Sequence, residues 1–230
     1  MNILILGAMD EEVALLNASL EDKATRQVAH LACHTGTYAG HAVLVAKCGI
    51  GKVAAALATG LLCQDFQPDV VINTGSAGGF DPRIDVGDIV IGSDLIQHDV
   101  NLTHFGYKLG QPAGMPEVFS ADTSWAELAL ECVTDMPNIT GIRGVIGSGD
   151  AFIGTDEQAA QIKADYPQFA AVEMEGAAIG QVCHLLDIPC LVIRSISDHA
   201  NKASSMTFEQ YLPIAAKNSA NLVMAVLQKA

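Results

Sequence analysis

Short apolar runs alternate with helical patterns along the whole chain, and that alternation leaves few folds open. NILILG (2–7), AVLVAK (42–47), VVINT (70–74), DIVI (88–91), IRGVI (142–146), AAVE (170–173) and CLVIRSI (190–196) read as strands. Several have no polar face, as expected of strands covered on both sides. Helical spacing fills 10–19, 51–63, 123–134, 156–164, 175–186 and 207–228, with Pro213 expected to kink or restart the last. The pattern predicts an α/β fold: a three-layer α/β/α single domain over residues 1–230, with a central mixed, mostly parallel sheet. A chain of 230 residues suits one large core. One stretch, HDVNLTHFGYKLGQPAGMPEV (98–118), fits neither period. A long irregular segment in a compact domain is a lid, a binding loop, an interface or a solvated surface loop.

Half of the residues are apolar and 17% are charged, which excludes a disordered chain. The net charge of −14 argues against nucleic acid or an anionic membrane as partner, since both need basic patches. Six cysteines at 33, 48, 63, 132, 183 and 190 form no CxxC pair, so buried reduced thiols are expected. No basic stretch precedes the first apolar run and no run approaches membrane-spanning length. The expectation is a cytoplasmic protein.

In open α/β sheets ligands bind beyond the carboxyl ends of the strands. There this chain places GAMDEE (7–12), CGIGK (48–52), NTGSAGG (73–79), GSGDAFIG (147–154), VEMEG (172–176) and RSISDHAN (194–201). The first is a glycine turn leading into a helix, where a phosphate would be at home, yet it carries three acids. Acids in a first helical turn complement the helix dipole by roughly 0.3–1 kcal/mol, which accounts for one better than for three. GIGKVA is a weak dinucleotide match, because the following strand ends in Asn73, and GIGK is no Walker loop. A tight turn packing a helix on the sheet is the favoured reading there. Glycines in GSAGG would let a ligand lie against the backbone. Neither a metal site built on His98, Asp99 and His104 nor a nucleophilic Ser76 has the required pattern. What remains is carboxylates at three strand ends, Glu12, Glu173 with Glu175, and Asp198, near an aromatic Phe152. Paired carboxyl groups cleave glycosidic bonds, accept hydrogen bonds from sugar hydroxyls, and an aromatic ring stacks on a base. The residues suit a small neutral nucleoside.

In order, GAMDEEV, CGIGK, NTGSAGG, VGDIV, HD followed by FGY, SGDAFI, VEMEG and RSISD are similar to the 5'-methylthioadenosine/S-adenosylhomocysteine nucleosidases of the nucleoside phosphorylase superfamily. The resemblance covers nearly the whole chain. It implies cofactor-free hydrolysis of the adenine–ribose bond of methylthioadenosine, S-adenosylhomocysteine and 5'-deoxyadenosine, in methionine salvage and the activated methyl cycle. It implies Glu12 as the base that activates water and Asp198 as the acid that protonates adenine N7. Glu175 would accept the ribose hydroxyls, with Met174 on the sugar. Phe152 would stack on adenine and the Ile153 backbone would bond its edge. Gly78, Met9, Ser197 and Phe208 would line the site, and Ser76 and Arg194 would help hold the water. The family pattern implies a homodimer in which residues around 102–115, Leu102 and Phe105 among them, reach the neighbouring site. Asp10, Gly176, His199 and the offset Pro112 depart from the pattern and bear on specificity. A phosphate-dependent phosphorylase and a hydrolase of another nucleoside such as futalosine are the alternatives.

Overall fold

The computed structural model describes residues 1–200 and 204–230; Asn201, the end of the RSISDHAN stretch, lies outside them. Ten strands and six helices alternate: β1 (Asn2–Gly7), α1 (Asp10–Ser19), β2 (Glu21–Val28), β3 (Leu31–Tyr38), β4 (His41–Lys47), α2 (Lys52–Phe66), β5 (Val70–Gly79), β6 (Ile89–Gln97), β7 (Phe119–Ser120), α3 (Thr123–Thr134), β8 (Gly141–Ser148), α4 (Asp156–Asp165), β9 (Phe169–Glu173), α5 (Gly176–Leu186), β10 (Cys190–Asp198) and α6 (Ser204–Lys229). Helix α6 runs unbroken through Pro213.

The layers follow from the pleat. Successive side chains of a strand face opposite sides, so β1 feeds two cores. Ile3 and Ile5 pack with Val13 and Leu16 of α1 and Leu222, Val223 and Val226 of α6. Leu4 and Leu6 face the other way, into a core with Ala55 and Leu62 of α2 and Ile179 and Cys183 of α5. Each Val, Leu or Ile among them, buried whole, contributes roughly 1.5–3 kcal/mol. A smaller cluster sets Ala159 and Ile162 of α4 against Phe169 and Val172 of β9. All six cysteines are free thiols buried in these layers.

The sheet is mixed, and it closes. Strands β4, β1 and β5 are parallel neighbours, and β5 is also parallel to β10. From β10 the path turns through antiparallel β6 to parallel β8 and β9, and β9 returns antiparallel to β5. Five strands thus form a ring, with β1, β4, β3 and β2 extending from it as an open tail. The hairpin β2–β3, which no sequence signal marks, supplies antiparallel pairs in that tail. Most registered pairs are parallel, as expected, and the antiparallel ones lie mainly in the β2–β3–β4 tail and where β6 and β9 close the ring.

Two stretches expected to lie beyond strand ends are strand instead. NTGSAGG belongs to β5, which stays paired to β10 as far as Gly78 and to β9 through Gly79. RSISD belongs to β10, whose register slips between Ile196 and Asp198. Such a bulge bends the strand and re-aims the next side chain. Residues 98–118 are irregular apart from a short 3-10 turn at Thr103–Phe105.

Candidate active site

Glu12 is 1% exposed, so each lone pair of its carboxylate needs a partner. Oε2 accepts from Ala8 N–H at 2.7 Å and Met9 N–H at 3.2 Å, reaching back over the helix start like half a capping box. Oε1 accepts from Ser76 N–H at 2.9 Å and Ser76 Oγ at 3.1 Å on β5. The carboxylate itself therefore consumes the turn's anion-binding donors. Asp10 turns outward to pair with Lys47 at 2.7 Å, and Glu11 is exposed.

Beneath lies Arg194, wholly buried on β10. Its Nη2 donates to Asn73 Oδ1 at 2.5 Å and to Glu173. Asn73 in turn donates to Leu6 O at 2.9 Å. Glu173 ends β9 and accepts from Glu175 N–H at 2.9 Å, Gly176 N–H at 2.7 Å and Ser148 Oγ, so it anchors the start of α5. Glu175 projects from the residue before that helix, 5% exposed. Its Oε1 accepts from Gly51 N–H at 2.7 Å, while Arg194 Nη2 stands 3.8 Å from Oε2. Burial, reinforced by the Glu173 carboxylate, pushes the Glu175 carboxyl up to about 8 despite that guanidinium. On the bulge of β10, Asp198 Oδ1 accepts from Ala200 N–H at 2.7 Å and Oδ2 from Ser197 Oγ at 3.0 Å.

These groups meet at one cleft of about 370 Å³, within the range of small-molecule sites. Its walls include Met9, Glu12, Ser76, Gly78, Phe152, Met174, Glu175, Ser197, Asp198 and Phe208. Phe152 meets Phe208 edge-on, ring centroids 5.8 Å apart, over one side. Ile153 borders an adjoining recess shared with Gly78, Phe152, Met174 and Asp198. The wall carries both carboxyl groups and aromatic rings, which suits a ligand with a polar sugar and a flat base.

The chain matches the Phosphorylase superfamily over residues 2–228. The 5'-methylthioadenosine/S-adenosylhomocysteine nucleosidases of Tolumonas auensis and Lysinibacillus sphaericus are 44% and 45% identical to it, over 100% and 99% of both chains. The nucleosidase of that name from Colwellia psychrerythraea, solved with adenine, superposes with a TM-score of 0.97 at 46% identity, covering 99% of this chain and 94% of that one. The chain belongs to the 5'-methylthioadenosine/S-adenosylhomocysteine nucleosidase family. The Neisseria meningitidis nucleosidase with methylthio-immucillin-A superposes at 38% identity and TM-score 0.98, covering 100% and 99%. The futalosine hydrolase of Helicobacter pylori shares the fold at 32% identity and TM-score 0.94, covering 100% and 98%.

Of the residues that the family resemblance picks out, most border the cleft or its recess. Arg194 does not: it lies under the floor, tied to Asn73 and Glu173. Leu102 and Phe105 do not border the cleft of their own chain, and Phe105 is 74% exposed. Gly176 starts α5 close to Glu173. His199 pairs with Asp85 at 3.0 Å on the surface. The three residues whose spacing speaks against a metal site have other partners: His98 packs on Phe169, Asp99 binds Lys52, and His104 packs on Phe105. The CGIGK turn proves to be more than helix packing, because its Gly51 N–H holds Glu175. Ile50 lines the cleft, and neither it nor Asn73 carried a signal strong enough to single out.

Proposed function

We propose that the protein hydrolyses the N-glycosidic bond of 5'-methylthioadenosine, S-adenosylhomocysteine and 5'-deoxyadenosine, releasing adenine and the 5-substituted ribose for methionine salvage and the methyl cycle. The buried Glu12 carboxylate, held by Ala8, Met9 and Ser76 on the cleft that Asp198 also lines, carries this reading. Glu12 takes a proton from water as its oxygen attacks C1' on the face away from the base. The C1'–N9 electron pair passes into the purine, and Asp198 delivers a proton to N7, so adenine leaves neutral. Protonating a poor leaving group contributes about 10²–10⁴-fold. Glu175 accepts the ribose hydroxyls, Met174 packs on the sugar, Phe152 and Phe208 enclose adenine, and the Ile153 backbone bonds its edge. Ser76 and the buried Arg194 keep Glu12 and its water in place. No cofactor enters this scheme.

A phosphorylase would need the donors of the GAM turn free for phosphate, and here Glu12 occupies them. Arg194, buried against Glu173, is committed as well. Futalosine stays as the rival substrate, since a hydrolase for it shares this fold. The test is base release from methylthioadenosine, S-adenosylhomocysteine and futalosine, with and without phosphate. Phosphate-independent release of adenine from the first two is expected. Strict phosphate dependence, or turnover of futalosine alone, would overturn the assignment.

The same reading includes a homodimer in which residues around 102–115 complete the neighbouring site at the 5' substituent. Its support is a set of exposed apolar side chains, Val53 and Leu57 on the first turns of α2 and Ile50 just before it, together with Phe105. A reducing cytoplasm suits the six free thiols.

A further inference from the structure

At the turn after β4, two successive backbone N–H groups are each caught by a distant carboxylate. Gly51 N–H donates to Glu175 Oε1 at 2.7 Å, and Lys52 N–H donates to Asp150 Oδ1 at 2.8 Å. Gly51 has φ +94°, a conformation that favours glycine, and a Cβ there would meet Asp150 Oδ1 at 2.9 Å. The Lys52 side chain is only 16% exposed. It donates to Asp99 Oδ1 at 2.5 Å and to Gln97 Oε1 at 3.1 Å. Asp99 Oδ2 accepts from Asp150 N–H at 3.0 Å, which closes a ring of three residues. Gln97 carries the network on to Gln181 of α5 at 2.5 Å.

Gly51 holds Glu175, Asp150 stands two residues before Phe152, and Asp99 is the second residue of the irregular 98–118 segment. The ring thus ties together the segments that leave β4, β6 and β8. Its one side-chain cation is Lys52, and its acids repel one another without it. A partly buried, charge-assisted bond of this kind holds geometry better than an exposed pair does.

We propose that Lys52 is a positioning residue, locking the turn so that Gly51 N–H keeps Glu175 aimed at the ribose hydroxyls. This rests on the reading of Glu175 as the hydroxyl acceptor. Lys52 touches no reacting atom, so its loss shows in substrate binding and spares the bond-breaking step.

The experiment compares wild type, Lys52→Met, Asp99→Asn and the double variant on methylthioadenosine and on its 2',3'-dideoxy analogue, with Glu175→Ala as the reference. Lys52→Met raises KM for methylthioadenosine by about tenfold, the scale of one misplaced charge-assisted hydrogen bond. It leaves kcat nearly unchanged and leaves KM for the dideoxy analogue at the wild-type value. Asp99→Asn acts in the same direction, and the double variant is no worse than Lys52→Met alone. An equal KM rise on both substrates, a fall of kcat in step with kcat/KM, or additive effects would overturn the proposal. Glu175→Ala, which removes the acceptor, abolishes the wild-type preference for the hydroxylated substrate. Were that preference to survive in Glu175→Ala, the reading of Glu175 would fail and the role of Lys52 with it. Were Glu175→Ala to abolish it while Lys52→Met left KM untouched, Lys52 alone would be misassigned.

Discussion

At the scale of single residues, the site divides its acids by what holds them. Glu12 accepts from four protein donors and Asp198 from two. If Asp198 protonates N7, Asp198→Asn lowers kcat on methylthioadenosine by about 10²–10⁴-fold. A 7-deaza analogue, which has no N7, binds but is not hydrolysed, and the substitution changes nothing on it. Steady-state turnover decides this, and near-normal hydrolysis of methylthioadenosine by Asp198→Asn would refute the role. Glu175 differs again, because its carboxyl is raised from 4.5 to about 8. The folded state holds this proton more tightly than the unfolded chain does. That contribution to stability is complete below 4.5 and is lost as pH rises through about 8. Glu175→Gln keeps a neutral acceptor for Gly51 N–H and has nothing to titrate. Its melting temperature relative to wild type therefore climbs between about pH 5 and 9. A difference that stays flat across that window would show that Glu175 is ionised throughout.

At the scale of elements, β5 shows why glycine is needed in a strand. Gly75 pairs with Arg194 in register, and a Cβ at position 75 would run into the Arg194 guanidinium and the Glu12 carboxylate. Gly75→Ala is expected to fold, since β5 keeps its pairs, and to lose about 10²-fold in kcat through a displaced Glu12. Circular dichroism with steady-state kinetics checks both halves, and a fully active variant would show that the two charged groups can move aside. A sequence reading takes such a glycine run as a turn, whereas the structure uses it as a close approach of backbone to side chains. That is why β5 reaches beyond its expected end and carries part of the site inside a strand. Strand β1 was legible because every residue from Ile3 to Gly7 is buried. Strand β2, EDKATRQV, was not, because it buries almost nothing and so leaves no alternation to read. The acids were legible for their place at strand ends, where an uncompensated charge is costly. Their supports were not: Asn73 meets Arg194 across 121 positions and Lys52 meets Asp150 across 98, separations that no local pattern encodes.

At the scale of the whole molecule, charge and apolar surface pull against each other. Each chain carries −14, so two copies repel, while Val53 and Phe105 are 79% and 74% exposed and are better covered. If these side chains form the dimer face, association depends on apolar burial against long-range repulsion. Salt screens the repulsion, with a Debye length of about 8 Å at physiological ionic strength. Raising salt therefore tightens the dimer, which sedimentation equilibrium across a salt series measures. Weakening with salt would mean that ion pairs hold the interface. Val53→Glu places a charge on the apolar face and drives the protein toward monomer. If Leu102 and Phe105, which do not border the cleft of their own chain, cover the 5' end of the neighbour's site, such a monomer has a site open there. It should keep its affinity for adenine, the group proposed for the Phe152 and Phe208 side of the cleft, and lose affinity for methylthioadenosine. Calorimetric titration of both ligands into the variant separates the outcomes. Unchanged binding of both by a proven monomer would show that one chain makes the whole site, and residues 102–115 would then serve only their own subunit.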